Sequence, residues 1–408
     1  MTSVTLWIAT GIAGGQSWAP LAVGGAGIAV AVPTVLIGPL AGVFVDRWDK
    51  RRTMITADLI RFGLMAALIL VPAVGTQLPT TIRLGAIYTV IVLATVCSTF
   101  FGPAQIGLLG SVVPPEERTR AASLSQLSVY LGLVLGPPLA APLLFGLGPA
   151  WGLGVNAGSF LVSAIAVRAI AARAPGAPEA VAGVRGVLRD FVSGLRFIAK
   201  QRVLRALLVS IFMVVSGAGA LNALGVFFFQ SNLHAPVRLY GFVAASVAVG
   251  ALAGAALTAI LASRIDPPRL FSGSVIALGL AIVVYSRMTA LLPALLVALL
   301  VGFPEVAVNI AVTPILLAVT PAELVGRVSA TLMPTSSLAQ IGSVALSGYL
   351  ASTLLRGLHA QVLGVQVGTY DAIFGVAGLL IVASGVYARV SMRRRTVAPS
   401  AEAALQPP

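Results

Sequence analysis

The chain has few charged residues and almost no cysteine. Only 9% of its 408 residues are Asp, Glu, Lys or Arg, while 58% are hydrophobic and the mean hydropathy is +1.01. About a quarter of the residues of a soluble domain are charged, so this composition excludes a soluble globular protein. The single cysteine, Cys97, excludes an internal disulfide.

Motifs of catalysis are also missing. The sequence has no Walker loop, no Gly-x-Ser-x-Gly and no metal-ligand spacing, and its two histidines, His234 and His359, are far apart. We therefore expect neither an enzyme nor an ATP-driven pump, and we expect no cofactor and no metal site.

The net charge of +14 is the one feature that suggests nucleic acid. The cations, however, lie at the edges of apolar runs and do not form one patch. A lipid bilayer is therefore the expected environment, and no nucleic acid is expected as a partner.

Apolar runs of membrane-spanning length fill most of the chain. Eleven helices are predicted at 21–45, 53–74, 84–111, 121–145, 150–172, 203–230, 239–262, 269–288, 291–318, 328–355 and 369–391. Residues Val4 to Ala13 are apolar but too short to span. We interpret them as the outer end of a truncated first helix, from a clipped or mis-assigned start or a short natural form.

Basic residues lie mostly on one side of these runs. Twenty-one of the 26 Lys and Arg residues fall in the loops on the side of residues 46–52, four fall on the other side, and Arg61 lies within a helix. The positive-inside rule makes the basic side cytoplasmic. The sequence therefore predicts a multi-pass protein of the cell membrane with a cytoplasmic C-terminus.

A repeated loop pattern indicates two homologous halves. Residues 114–120 and 321–327 share the pattern Pro-x-Glu-x-x-x-Arg, and each copy precedes a helix. We divide the chain into an N-terminal half at 1–172, a cytoplasmic linker at 173–202, a C-terminal half at 203–391 and a disordered cytoplasmic tail at 392–408. The linker contains an amphipathic helix, which either lies in the headgroup layer, drawn by anionic lipid, or packs against the inner face of the protein.

A short basic loop between the first two runs carries a family resemblance. The pattern Gly-x-x-x-Asp-Arg-x-x-Lys-Arg, formed by Gly42, Asp46, Arg47, Lys50 and Arg51, resembles the signature loop of the major facilitator superfamily. Asp49 stands where that pattern has glycine, so the turn must be made differently. The resemblance implies a charge lock that opens and closes as the halves rock. The alternative is that the cations only set topology.

A second motif resembles that of superfamily antiporters. Gly132, Gly136 and Pro137 form Gly-x-x-x-Gly-Pro on the run that corresponds to the fifth helix, although Ala140 and Ala141 replace the later glycines. Small residues one turn apart allow close helix contact, and proline bends a helix. Simple packing is the alternative to an export role.

Together with the Pro-x-Glu-x-x-x-Arg loops and the Asp58-to-Arg61 segment, these motifs resemble the macrolide-efflux branch of the drug:proton antiporters. The resemblance implies an all-α, polytopic membrane protein of two pseudo-symmetric six-helix bundles. Here that becomes about eleven complete spans and a stub.

Glu305 is the acidic residue that lies near the middle of a predicted span. A carboxylate is costly there unless it is protonated, paired or in contact with water. We predict that Glu305, with Asn309 one turn on, binds a proton or a cationic substrate, and that Pro304 and Pro314 interrupt the helix. A permanently neutral glutamic acid bonded to a backbone carbonyl is the alternative.

Other polar residues within the spans have two possible roles. Gln126, Asn222 and Gln340 either line a cavity or hold helices together. Asp58 and Arg61, spaced i, i+3, are expected to form a structural ion pair near the cytoplasmic end of a helix.

The sequence thus predicts a monomeric secondary transporter that exports a small amphipathic compound or drug by alternating access, in exchange for protons. An uptake permease, a siderophore or lipid exporter, and a non-transporting membrane sensor or assembly protein are the alternatives.

Overall fold

The computed structural model describes residues 2–74, 78–114, 117–170, 184–261, 264–362 and 365–392. The surroundings of some residues within these ranges lie outside the description, among them Gly42 and the side chains of Asp46, Arg47 and Gln126. The predicted tail beyond residue 392 and the part of the predicted linker before residue 184 also lie outside it.

Helices make up nearly all of the described chain. They are α1 (Thr2–Leu6), α2 (Ala19–Arg47), α3 (Lys50–Val74), α4 (Thr80–Val112), α5 (Arg118–Pro142), α6 (Pro149–Ala169), α7 (Val184–Lys200), α8 (Arg202–Ser231), α9 (Gly241–Leu261), α10 (Pro267–Tyr285), α11 (Leu291–Val319), α12 (Ala322–Tyr349) and α13 (Thr369–Met392). All eleven predicted runs correspond to helices. The first apolar segment continues from α1 into a π-helix, Trp7–Ile12.

Nine helices in the described ranges are long and apolar enough to cross a bilayer. A span of about 30 Å needs about 20 helical residues. The helices α5 and α12, with 25 and 28 residues, have the length but are richer in Ser, Thr and Gln. An all-α polytopic fold is confirmed.

The structure corrects the expected interruption of α11. This helix runs from Leu291 to Val319 with Pro304 and Pro314 inside it. Each proline removes one intrahelical donor, which a membrane helix tolerates when its neighbours hold it in place.

A two-stranded sheet between α12 and α13 was not predicted. Strand β1 (His359–Val362) pairs antiparallel with β2 (Val365–Gly368), with His359 opposite Gly368 and Val362 opposite Val365. The π-helix Leu350–Leu354 leads towards it from α12.

Helices α1–α6 and α8–α13 form two sets that meet mainly through two helix pairs. Helix α2 packs against α12, and α5 packs against α9. The two copies of the repeated pattern, 114–120 and 321–327, extend into the starts of α5 and α12 and do not precede these helices as predicted. The repeat therefore relates α5 to α12 and, by helix order, α2 to α9. The symmetry that relates the two halves therefore maps the α2–α12 contact onto the α9–α5 contact, as expected for a pseudo-two-fold axis.

The two ends of the molecule differ in how the sets meet. We call the end where α2 ends and α3 begins the basic end; α6, α9 and α13 also end there. At the opposite end one continuous apolar cluster joins both sets, and it includes Leu6, Ala26, Leu68, Phe228 and Ala298.

At the basic end each set has an apolar cluster of its own. Val45, Met54 and Leu108 belong to the first, and Leu204 and Leu316 belong to the second. The close approaches between α2 and α12 also lie near the opposite end, where Gly24 and Gly27 meet Val344. The described apolar clusters therefore join the two sets at the opposite end, whereas no described cluster at the basic end contains residues of both.

Candidate functional site

Glu305 lies on the side of α11 that faces away from lipid. The exposed leucines of this helix, Leu292, Leu296 and Leu300, are 58–69% accessible and form an apolar face. Glu305 follows Leu296 by nine residues, and at about 100° per residue the two side chains point in opposite directions. Glu305 is nevertheless exposed, so it faces open space between helices.

That open space is limited to the middle of α11. Ala294 and Ala298 lie on the same face of α11 as Glu305 but nearer the opposite end. Both are buried in the cluster that joins the two sets. Leu316, eleven residues beyond Glu305 on the same face, is buried at the basic end with Leu204 and Val328. Between these closed positions, Glu305, Asn309 and Thr313 are all exposed.

Thr313 belongs to this polar stripe but was not singled out from the sequence. The signal was present, because residues 305, 309 and 313 follow each other at i, i+4 and i+8 and therefore share one helix face. The Asn309 amide donates to the Glu305 backbone carbonyl at 3.1 Å. The Glu305 carboxylate forms no ion pair with any described residue.

Glycines at the crossing of α9 and α11 fix the position of the stripe. A Cβ at Gly250 would overlap the Leu299 carbonyl oxygen, and a Cβ at Gly302 would overlap the Val247 carbonyl oxygen. A Cβ at Gly254 would come within 2.6 Å of the Phe303 oxygen. The two backbones therefore touch directly, one turn from Glu305.

Asn222 and Gln340 lie on two neighbouring helices of the C-terminal set. Both side chains are exposed, and the Asn222 amide donates to the Ala218 carbonyl at 3.0 Å. Helices α8 and α12 touch beside them, where the Ser343 hydroxyl donates to the Ser216 carbonyl. Within the described part of the chain neither side chain bonds to another helix, which leaves both available to a ligand. The Gln126 side chain lies outside the described residues.

Asp58 and Arg61 form a buried ion pair. Arg61 Nη2 lies 2.5 Å from Asp58 Oδ1, with the Asp58 side chain 1% and the Arg61 side chain 9% exposed. Arg61 also donates to the Ala57 carbonyl and the Ser98 hydroxyl, each at 3.3 Å, and its guanidinium lies 4.5 Å and 4.7 Å from the ring centres of Phe101 and Phe160. The pair thus ties α3 to α4 and α6.

Helix α3 begins at Lys50, so Arg61 is about 16 Å along this helix of 25 residues. Asp58 Oδ2 is buried and has no hydrogen-bond partner among the described residues.

Described residues of the signature loop connect helices within the N-terminal set. Arg51 Nε donates to the Val167 carbonyl at 3.3 Å, and its Nη2 donates to the Arg168 carbonyl, both at the end of α6. A Cβ at Gly107 of α4 would come within 2.6 Å of Lys50 Cε. The charge lock remains a hypothesis, because the side chains of Asp46 and Arg47 lie outside the described residues.

Asp49 explains how the loop turns without the expected glycine. Its carboxylate accepts from the Arg52 backbone N–H at 2.7 Å, which caps the N-terminus of α3. Trp48 packs beside it between Phe44 and Phe100, with ring centres 5.7 Å and 5.6 Å apart.

The antiporter-like motif contacts α9 through its proline region. A Cβ at Gly132 or Gly136 would have no described neighbour within 4 Å, so neither glycine makes the close helix contact expected of it. The close approach lies one residue further on, where the Pro137 carbonyl meets Gly241 at the start of α9.

A cavity of about 1240 Å³ lies at the opposite end between the two sets. Thr10, Gln16 and Gln230 contribute to its lining. Asp371 anchors one wall, because its carboxylate accepts from the Gly368 N–H at 2.8 Å and from the Asn232 amide. The cavity lies on the outer side of the apolar cluster that joins the two sets at this end.

Comparison with known proteins identifies the family. Residues 1–344 match the Major Facilitator Superfamily. The chain belongs to this superfamily. Its members carry substrates across membranes and are not enzymes, so the protein is an integral membrane transporter of small molecules.

Several curated relatives are similar over most of the chain. An uncharacterized MFS-type transporter, YkuC of Bacillus subtilis (strain 168), is 25% identical over 77% of this chain and 74% of its own length. The multidrug efflux pump Tap of Mycolicibacterium fortuitum is 27% identical over 82% of this chain and 81% of its own. A third relative matches a shorter stretch: macrolide efflux protein A of Enterococcus faecalis is 29% identical over 27% of this chain and 32% of its own.

Solved structures confirm the fold. The crystal structure of a mutant of the nucleoside transporter NupG superposes with a TM-score of 0.70 over 96% of this chain and 97% of its own, at 13% identity.

Proposed function

We propose that this transporter exports a small amphipathic compound, such as a drug or macrolide, across the cell membrane in exchange for protons. Its similarity to multidrug and macrolide efflux proteins supports the direction and the substrate class. The exposed carboxylate of Glu305, in the middle of the α11 stripe, is the observation on which the proposal depends.

Glu305 is the coupling residue in this proposal. A carboxylate in the apolar core is tolerated when it faces a water-filled space or takes up a proton. In the observed arrangement Glu305 is exposed to the space between helices, and no described apolar cluster joins the two sets at the basic end. For a cationic substrate, protonation and substrate binding at one carboxylate then exclude each other, as exchange requires.

The basic end is cytoplasmic in this proposal, because cations collect on the inner side of membrane proteins. The substrate enters from that end and contacts Glu305, Asn309 and Thr313, with Asn222 and Gln340 on neighbouring helices. It leaves through the cavity at the opposite end once the apolar cluster there separates. Lys50 and Arg51 form part of the inner gate.

Transport by the purified full chain in proteoliposomes tests the proposal. An imposed pH gradient should drive movement of ethidium or erythromycin against its own gradient in the wild type, and Glu305→Gln should abolish the pH-driven component. Glu117→Gln is the matched control, because Glu117 is exposed before α5 and outside the spans; it should transport normally.

Each alternative function has its own outcome in this assay. Accumulation in the opposite direction would indicate an uptake permease, and no movement of either compound by the wild type would contradict drug export. Equal pH-driven transport by the wild type and Glu305→Gln would contradict the role of Glu305.

A further inference from the structure

A basic groove runs along α7 beside the start of α12. It has a volume of about 580 Å³ and is lined by Arg189, Val192, Ser193, Arg196, Phe197, Lys200 and Leu324. Arg189, Arg196 and Lys200 are spaced by seven and four residues, so their side chains share one face of the helix. All three are exposed.

The opposite face of α7 holds it against the C-terminal set. Ile198 is 2% exposed and packs with Leu204 of α8, Leu316 of α11 and Val328 of α12. Of the two placements expected for the linker helix, packing against the protein is therefore the observed one. The basic face remains outward and fixed in position.

The three cations have no carboxylate partner among the described residues, whose ion pairs are Asp58–Arg61 and Asp266–Arg269. Beside them, Val192 is 42% exposed. Solvation of these charges would explain their exposure, but it would not explain apolar side chains in the same groove.

The location of the groove indicates which anion fits. Lys200 lies two residues before α8, which is one of the membrane-spanning helices. The groove therefore lies at the level of the headgroups, where anionic lipids attract clusters of Lys and Arg. Val192, Phe197 and Leu324 extend the groove with apolar surface.

We propose that this groove binds an anionic phospholipid of the inner leaflet. The lipid phosphate binds Arg189, Arg196 and Lys200, and the upper part of an acyl chain lies against Val192, Phe197 and Leu324. The proposal depends on the cytoplasmic orientation of the basic end and does not depend on the transported substrate.

Native mass spectrometry of the full chain in detergent tests this site. The wild type should retain phosphatidylglycerol in preference to phosphatidylcholine with the same acyl chains. The triple variant Arg189→Gln, Arg196→Gln, Lys200→Gln should bind phosphatidylglycerol at least about tenfold more weakly, since each cation near an anionic headgroup contributes several-fold.

A second triple variant provides the matched control. Arg264→Gln, Arg269→Gln, Arg389→Gln removes the same charge from exposed positions at the same end, before α10, on α10 and on α13, whereas α7 packs against α2, α8 and α12; it should keep wild-type affinity. Equal losses in the two triple variants would show general charge attraction and overturn the site. Equal binding of phosphatidylcholine would also overturn it.

Two further measurements complete the test. Inorganic phosphate at millimolar concentration should not displace the lipid, and full displacement would contradict the acyl-chain contact. Thermal melting of each variant in detergent confirms that it folds. A chain that binds phosphatidylglycerol in this way but moves no drug would contradict the proposed function and leave the lipid site intact.

Discussion

Single carboxylates of this chain differ in what surrounds them. Asp58 is 1% exposed and paired with Arg61, whereas Glu305 is exposed and has no cation partner among the described residues. A buried pair ties helices together and a carboxylate in an open space is available to protons and substrate. The same residue class therefore has a structural role at one position and a proposed transport role at the other.

The pairing of Asp58 with Arg61 could be predicted from their i, i+3 spacing. Their surroundings could not, because Ser98, Phe101 and Phe160 come from α4 and α6, distant in sequence. Glu305 was predictable as an acidic residue inside an apolar run. The direction in which the Glu305 side chain points could not be predicted, because it was inferred from the exposed leucine face of α11, which only the structure showed.

Asp58→Asn should destabilise the protein by about 3 kcal/mol or more, because it leaves the Arg61 charge buried without its partner. Reversible denaturation in mixed detergent micelles measures this. Asp266→Asn is the control, because its pair with Arg269 has side chains 60–76% exposed at 3.5 Å and should change stability by less than about 1 kcal/mol. Equal effects of the two substitutions would contradict the structural role of Asp58.

The positions of the helices could be predicted from the sequence because a lipid bilayer requires apolar runs of spanning length. Every apolar run predicted to span corresponds to a helix, since unpaired backbone groups are too costly in a bilayer. The strands β1 and β2 were missed, because each has only four residues and lies in a loop outside the spans. The continuation of α11 without interruption through Pro304 and Pro314 was also missed. The packing of α9 and α10 that holds α11 in place could not be read from the sequence.

Helix α11 depends on its glycine contact with α9. Gly302→Ala should lower the melting temperature and reduce transport, because the new Cβ would overlap the Val247 carbonyl oxygen and separate two backbones. Gly273→Ala on α10 is the matched control, because its Cβ would meet no atom within 4 Å and alanine favours a helix by about 1 kcal/mol over glycine. Normal stability and transport in Gly302→Ala would contradict the described crossing.

The whole molecule combines a symmetric architecture with an asymmetric state. The repeat predicts that contacts α2–α12 and α5–α9 are equivalent, and the structure shows both. Which end is closed could not be predicted, because the same sequence must form both arrangements during alternating access. The apolar cluster that joins the sets at the opposite end is a property of the observed arrangement.

Two distances measured by electron paramagnetic resonance on spin-labelled protein test alternating access most directly. In a Cys97→Ser background, one pair of labels replaces Leu21 and Tyr349 at the opposite end, where both are about half exposed. The other pair replaces Arg52 and Arg264 at the basic end, where both are exposed. With a pH gradient and substrate, the Leu21–Tyr349 distance should lengthen while the Arg52–Arg264 distance shortens. Distances that both stay constant, or that both change in the same direction, would contradict export through two alternately open ends.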